Sequence, residues 1–324
     1  KGNNNLKNTN NLRTSINNNF GFKTFDYISK FGFKNNLGFY LKNLNTTGKN
    51  DEIYKSSAQV ELMNIVNYEA SLPLAKTNEK YFNTITPKIS LRTNPSDMKN
   101  YSSSDREINT SNIFSIDRLG LDDSFEEGES LTLGLDYRKE TLKNINKFFE
   151  FNLATILREK EENRIPTTST INQKSSNLFG SSEFNMSENL KINYDFAIDN
   201  DLNTFEYNSI GSSISLNNLV TTFDFMEKNG KMGSTNFIEN KTSYNFNNSN
   251  YISFNTRRNR KINLTEYYDL VYEYKNDCLT AGIKYKKTYY EDREVKPSED
   301  LFFTVTLFPL TQYEQKVDQT FYRD

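Results

Sequence analysis

The sequence predicts an all-β protein, an antiparallel transmembrane β-barrel, on three observations. First, apolar and polar side chains alternate over many segments, such as Leu131–Tyr137, Leu190–Ile198 and, interrupted only by Lys287, Leu279–Tyr289, which gives each strand one apolar and one polar face. Second, only 35% of the 324 residues are hydrophobic, which is low for a soluble core but sufficient for a barrel with a polar lumen. Third, no stretch approaches the roughly 20 consecutive apolar residues of a membrane helix. A membrane role therefore requires strands.

About fifteen strands follow one another, and most are long enough to cross a bilayer at a tilt. They are predicted at residues 14–25, 28–43, 57–75, 81–93, 129–140, 146–159, 177–187, 189–200, 204–217, 219–227, 240–248, 250–260, 265–276, 278–291 and 300–310. Asn, Asp and Ser fill the short joins, where they favour tight hairpin turns. Longer polar joins fall at 94–125, 161–176, 228–239 and 292–299. Short turns thus alternate with longer loops, as in outer-membrane barrels. The spacing in Asn112–Leu119 also allows a short helix.

Composition excludes several functional classes. The net charge of −2 and the absence of a long Lys/Arg block argue against a nucleic-acid partner, and the short run Arg257–Lys261 is interpreted as a solvated strand end. The chain has no histidine, which removes imidazole catalysis and His-ligated zinc. No enzymatic activity, metal or cofactor is therefore expected. The acidic clusters at 122–123, 126–127 and 159–162 are expected to be solvated charges in turns.

Two alternatives remain open at this stage. The alternation alone supports a general or substrate-specific outer-membrane diffusion channel equally well. The abundant asparagine also fits a soluble β-rich surface or adhesin module, whose apolar faces would then need a second sheet.

Two separated blocks of sequence resemble one known family. The first contains Ile85–Leu91, a polar loop, Ser111–Leu119 and the acidic pair Asp122–Asp123. The second contains Tyr272–Leu279, an acidic loop at 291–300 and the strand from Leu301 to 307. In order and spacing these blocks resemble the outer-membrane lipopolysaccharide (LPS) assembly family LptD, also called OstA or Imp.

The resemblance implies the C-terminal portion of a very large barrel, with about 26 strands in the whole protein. Residues 1–310 would be the barrel portion, with the long loop 94–125, and residues 311–324 a C-terminal tail. An N-terminal jellyroll and the first barrel strands would be absent from this chain. The implied function is a translocon in the outer membrane of a Gram-negative bacterium. It would assemble LPS into the outer leaflet through the barrel lumen and a lateral gate between the first and last strands.

The same resemblance implies roles for residues near the C-terminal end. The last strand would form one side of the lateral gate through Leu301, Phe303, Val305, Leu307 and Pro309. Proline lacks the N–H that a strand ladder needs, so Pro309 either weakens pairing at the gate or simply ends the strand. Cys278, the only cysteine, would form an interdomain disulfide with a cysteine outside these residues; the alternative is an unpaired, inert thiol.

Loop and lumen contacts are implied as well. Asn112, Phe114 and Arg118 lie in the long loop, which would fold over or into the lumen and contact the plug lipoprotein LptE. Arg118 would pair with loop carboxylates or with a lipid phosphate. Lys284 and Lys286 would meet the phosphorylated sugar head, or would line a solvated wall. The implied partners are LPS, outer-membrane lipids, LptE and a periplasmic LptA-like bridge that contacts the missing N-terminal domain.

Overall fold

The computed structural model describes residues 2–8, 11–51, 54–289, 298–307 and 311–317. Nineteen strands run through these residues: β1 (Gly2–Asn8), β2 (Asn11–Lys23), β3 (Tyr27–Ile28), β4 (Lys34–Lys49), β5 (Gln59–Ser71), β6 (Leu74–Thr77), β7 (Tyr81–Asn94), β8 (Gly128–Thr141), β9 (Asn144–Arg158), β10 (Leu178–Ser187), β11 (Leu190–Ile198), β12 (Phe205–Leu216), β13 (Leu219–Lys228), β14 (Thr235–Asn247), β15 (Asn250–Asn259), β16 (Leu264–Lys275), β17 (Leu279–Thr288), β18 (Ser298–Leu307) and β19 (Thr311–Val317). Two short 3₁₀ turns, Thr167–Ser169 and Gly230–Met232, are the only helical elements in the described part of the chain.

The predicted all-β antiparallel architecture is confirmed. Strand pairs are antiparallel wherever their register is described, from β1 with β2 to β18 with β19. The fifteen predicted strands correspond to β2, β4, β5 and β7–β18, while β1, β3, β6 and β19 were not predicted. The segment 112–119 forms turns, so the helix that its spacing allowed is absent. None of the helices in the described residues has the length and apolar content to cross a bilayer.

The prediction that the strand ending at residue 310 is the last one is wrong, and so is the assignment of residues 311–317 to a tail. Strand β18 ends at Leu307, and β19 pairs with it along its length, from Leu307 opposite Thr311 to Leu301 opposite Val317. The alternation is weak in Thr311–Val317 because Gln, Glu and Lys dominate it. Pro309 and residues 318–324 lie outside the described residues.

One compact unit comprises Lys1–Lys139, Glu150–Ser181 and Ala197–Phe205. In it β2, β4, β5 and β7 pair in succession, and each strand has two different faces. The apolar face carries exposed side chains, among them Phe39, Val60, Leu62, Val66, Ile89 and Leu91. The polar face carries buried hydrophilic side chains, among them Lys42, Asn67, Ser90, Arg92, Ser130 and Thr132. This arrangement is the reverse of a soluble protein and suits a strand with lipid on one side.

The other compact unit comprises Glu140–Phe149, Ser182–Phe196 and Glu206–Asp324. Strands β12–β19 pair in succession within it. The register aligns one apolar row across six strands: Leu219, Tyr244, Ile252, Tyr272, Ile283 and Phe303. The opposite face aligns Asp224, Glu239, Arg257 and Tyr267. The predicted alternation of apolar and polar faces is therefore present in both units.

Candidate functional site: a loop layer on a buried ion cluster

Two long loops of the first unit, residues 95–127 and 159–177, form what we call the loop layer. Two hydrogen bonds join the loops: Tyr101 N donates to the backbone oxygen of Arg164 (2.8 Å), and Arg106 N donates to the side-chain Oγ1 of Thr168 (3.1 Å). Apolar side chains from both loops are fully buried, namely Ile108, Ile113, Leu121, Ile165 and Ile171. The layer packs on the polar face of the strands, where Phe125 and Ile116 meet Tyr40, Met63 and Ile65.

Glu126, which is 1% exposed, lies at the centre of a buried ion cluster beneath this layer. Arg118 binds its carboxylate in a two-pronged contact, with Nε donating to Oε2 at 2.6 Å and Nη2 to Oε1 at 2.5 Å. Arg158 Nη1 donates to the same Oε1, and Arg92 Nη1 lies 3.7 Å from it. Strand β8 supports the cluster, because Ser130 and Thr132 accept hydrogen bonds from Arg118. The cluster thus ties the loop to strands β7, β8 and β9.

The cluster determines the charge state of Glu126. Burial alone would raise the pKa of this carboxyl group, since it penalises the charged form. The positive charges of Arg118, Arg92 and Arg158 outweigh that penalty and hold the pKa of Glu126 below its usual range. Glu126 is therefore ionised at neutral pH, as a partner of three guanidinium groups must be.

A second buried cation, Lys42 of β4, holds the C-terminal end of the first loop. Its Nζ donates to the backbone oxygens of Leu121 (2.6 Å) and Ser124 (3.0 Å), and it lies 4.2 Å from the centre of the Phe125 ring. Asp117 Oδ2 lies 3.9 Å away. Burial raises the pKa of Asp117, against the opposing effect of the Lys42 and Arg92 charges.

The three loop residues predicted from the resemblance, Asn112, Phe114 and Arg118, all contact other residues of this chain. Arg118 forms the salt bridge with Glu126, a loop carboxylate. The Phe114 ring packs against the polar face of β8 at Gly134 and lies 4.3 Å from Lys88 Nζ. The Asn112 side chain stabilises the loop locally, accepting from Asn109 N and donating to Glu107 O. The structure therefore brings Phe114 and Arg118 to neighbouring places on β8, with Asn112 in a turn of the same loop.

The residues predicted near the C-terminal end lie in the other unit. Leu301, Phe303, Val305 and Leu307 alternate along β18, and the last three are exposed. Lys284 and Lys286 lie on the opposite face of β17, where Lys286 stands in register with Asp269 and Asp300. Cys278 is an exposed free thiol in the turn between β16 and β17. Pro309 lies outside the described residues.

The expectation that the acidic pair 126–127 is solvated is wrong for Glu126, which is fully buried. Glu127 is partly exposed and pairs with Arg164 of the second loop. Arg92, Arg158 and Lys42 were not among the predicted site residues, although each occupies a polar-face position of its strand. Lone basic residues at such positions, beside long loops that contain carboxylates, were the available signal.

The described residues contain no group of three or more His, Cys, Asp or Glu side chains placed to hold a metal ion. The charged groups of the site are the guanidinium groups of three arginines, the ammonium group of Lys42 and the carboxylates of Asp117 and Glu126. The guanidinium and ammonium groups bind carboxylates, carbonyl oxygens and phosphates. The site can hold a loop in place and bind anions.

Comparison with known proteins identifies the family. The sequence matches the family described as "LptD: LPS transport system D" over residues 8–249. Among curated proteins the search found no significant match. Solved structures with similarity include a triple mutant of the Rhodopseudomonas blastica porin (8% identity, TM-score 0.33, 79% of this chain and 84% of that chain). They also include the ferric-catecholate import receptor Fiu from E. coli (9% identity, TM-score 0.38, 91% of this chain and 55% of that chain).

The family match carries the assignment. It covers most of the chain and includes the long loop with its motif at residues 111–119. The chain therefore belongs to the LptD family, as an outer-membrane β-barrel protein with a role in LPS transport.

Proposed function

We propose that this protein is the outer-membrane component of an LPS translocon, which assembles LPS into the outer leaflet through its lumen and a lateral gate. The single observation that carries this proposal is the LptD family match over residues 8–249. The two-faced strands support it, because apolar side chains are exposed on one face and hydrophilic ones occupy the other.

The substrate explains why both faces are needed. LPS joins a charged sugar head to several acyl chains, so its passage requires a polar path and an apolar path at the same time. The row Asp224, Glu239, Arg257 and Tyr267 supplies a hydrophilic surface for the head. The exposed apolar face is suited to the acyl chains, since apolar surface is best buried against hydrocarbon.

Release into lipid needs a seam that opens, and we assign it to the first and last strands of the whole barrel. Of the described strands, β19 is nearest the C-terminus, and β18 is its neighbour. Phe303 and Val305 project from the exposed face of β18, so a lipid that leaves beside β19 would pass these side chains. Their role in the gate stays a prediction.

Protein partners follow from the same proposal. We assign contact with the plug lipoprotein LptE to the solvent-facing side of the loop layer, because Phe114 and Arg118 are engaged with β8. An LptA-like bridge would dock on a jellyroll domain. Cys278 is exposed and therefore accessible to a cysteine of that jellyroll.

The test is photocrosslinking in the intact outer membrane with newly delivered LPS. Probes are placed at Tyr313 on β19, at Phe303 and Val305 on β18, and at Leu133 on β8 as a lipid-exposed control. We expect LPS adducts at the first three positions before any appear at Leu133. Equal labelling at all four would reject the terminal gate. Leakage of small solutes without LPS adducts would instead favour a diffusion channel.

A further inference from the structure

A cavity of about 470 Å³ lies where β5, β7, β8 and β9 approach the loop layer. Four aliphatic side chains line it: Val66, Leu91, Leu131 and Leu157. Val66, Leu91 and Leu157 are between 37% and 48% exposed and belong to the apolar face. The cavity is therefore open to the environment that this apolar face meets, which is lipid in an outer-membrane barrel.

The same cavity is lined by Arg92, Ser130 and Arg158, which belong to the polar face. Arg92 is only 4% exposed, yet neither Nη1 nor Nη2 donates a hydrogen bond. Its Nε donates to Ile116 O (3.2 Å), and Glu126 Oε1 is 3.7 Å from Nη1. A buried guanidinium with unused donors is costly, because it has given up water without full replacement.

The charges around this point are also out of balance. Arg92, Arg118 and Arg158 surround a single fully buried carboxylate, that of Glu126, and the partly exposed carboxylate of Asp117 adds a more distant negative charge that interacts with Arg92. Arg118 uses its donors on Glu126, Ser130 and Thr132. Arg92 thus has two donor nitrogens left for an additional anion, and Nε of Arg158, which also lines the cavity, has no hydrogen-bond partner either.

We propose that this cavity binds the phosphate group of an anionic lipid from the surrounding membrane, with Arg92 as the principal donor. Guanidinium groups suit phosphate because two parallel N–H groups match two phosphate oxygens. The aliphatic walls contact the first methylenes of the acyl chains, which a free phosphate ion lacks. Because it is formed by β5, β7, β8 and β9, the site is distinct from the terminal gate and does not depend on it.

Two acidic residues at the cavity, Glu129 and Glu159, allow a second, independent test of phosphate binding. Both line the cavity and are exposed. Their negative charges oppose an incoming phosphate, so their removal should strengthen binding while leaving the arginine cluster intact. A purely structural role for Arg92 predicts no such effect.

The experiment uses the full-length protein together with the plug lipoprotein LptE, reconstituted in nanodiscs of neutral phosphatidylcholine. Native mass spectrometry measures retention of phosphatidylglycerol, of LPS and of inorganic phosphate in separate arms. We expect at least one anionic lipid to be retained over phosphatidylcholine. Arg92→Gln should lower that retention at least tenfold, and the Glu129→Gln/Glu159→Gln double variant should raise it severalfold. The matched control is Arg138→Gln, which removes an arginine paired with Glu150 and should leave retention unchanged.

The outcomes separate the possible sources. Retention of LPS alone identifies a glycolipid, and retention of phosphatidylglycerol alone identifies a glycerophospholipid; both support the site. Wild-type protein that shows no preference for anionic lipid, or inorganic phosphate that binds as well as lipid, would overturn it. If Arg92→Gln does not fold, the Glu129→Gln/Glu159→Gln double variant provides the test. Retention of anionic lipid that is unchanged from wild type in that variant refutes the proposal.

Discussion

At the scale of single residues, the main feature is a carboxylate that holds three buried arginines. Glu126 neutralises part of a cluster whose members come from β7, β9 and the first loop. Removing one partner of a buried ion pair is far more damaging than removing an exposed pair, because the remaining charge has no water around it. The loop layer therefore depends on Glu126 more than on any of its surface ion pairs.

We predict that Glu126→Gln destabilises the loop layer by about 3–5 kcal/mol. Amide hydrogen exchange of the full-length protein should show lost protection in residues 95–127. The control Glu150→Gln breaks a half-exposed pair with Arg138, and such pairs contribute about 0–1 kcal/mol. Equal protection in both variants would show that the buried cluster does not anchor the loop.

The pH dependence follows from the direction of the pKa shift. Because the folded pKa of Glu126 lies below its ordinary value of 4.5, its contribution is complete above pH 4.5 and is lost only as the pH falls towards the folded pKa. Protection of the loop by Glu126 should accordingly stay constant between pH 8 and pH 5. The raised pKa of Asp117 acts in the opposite sense, so the difference between wild type and Glu126→Gln isolates Glu126.

At the scale of elements, the first loop docks on β8 because β8 has no side chain at one position. A Cβ added to Gly134 would lie 2.5 Å from Phe114 Cζ and 3.0 Å from Lys88 Cε. Gly134 does not adopt a positive φ, in contrast to Gly120 and Gly128. The glycine is thus explained by the close approach of the Phe114 ring.

We predict that Gly134→Ala displaces Phe114 and weakens docking of the loop by about 1–3 kcal/mol, the usual cost of overpacking. The matched control is Gly38→Ala on the polar face of β4, where an added Cβ has an ordinary 3.5 Å contact with Ile116 Cδ1. Limited proteolysis of the loop in the full-length protein measures both. The double variant with Phe114→Leu should recover part of the loss; no coupling between the two sites would contradict the assigned contact.

Strand β19 is an element that the alternation of apolar and polar residues does not predict. Its neighbour β18 alternates apolar and polar residues, whereas Gln312, Glu314 and Gln315 leave β19 with little apolar signal. The hydrogen bonds of its backbone to β18 specify it instead. Pairing with a neighbouring strand needs no hydrophobic side chains, so the alternation rule does not detect such a strand.

At the scale of the whole molecule, the main feature is an exposed apolar face, which contacts lipid in an outer-membrane barrel. In β12, Ile214 lies on that face and is 37% exposed, while its neighbour Ser213 lies on the opposite face. We predict that Ile214→Lys lowers the folded, heat-modifiable fraction of the full-length protein in the outer membrane. The cost reaches about 2–4 kcal/mol at the bilayer midplane and less near its edges.

The adjacent substitution Ser213→Lys serves as the depth-matched control. It adds the same charge one residue away, on the face that carries Asp224 and Glu239 in neighbouring strands. This variant should fold as well as wild type. Equal loss of folded protein in both variants would mean that the exposed apolar face does not meet lipid.

The all-β architecture, most strand positions, the two faces of each strand and the family can all be predicted from the sequence alone. For the strands and their faces this is possible because successive side chains of a strand point to opposite faces, so a local pattern reports which face is apolar. The loop layer, the ion cluster at Glu126 and the cavity at Arg92 become visible only in the folded protein. Residues 92, 118, 126 and 158 are far apart in the chain and come together only when the loop folds back onto the strands. Burial then decides which charges are paired, and no local pattern specifies that pairing.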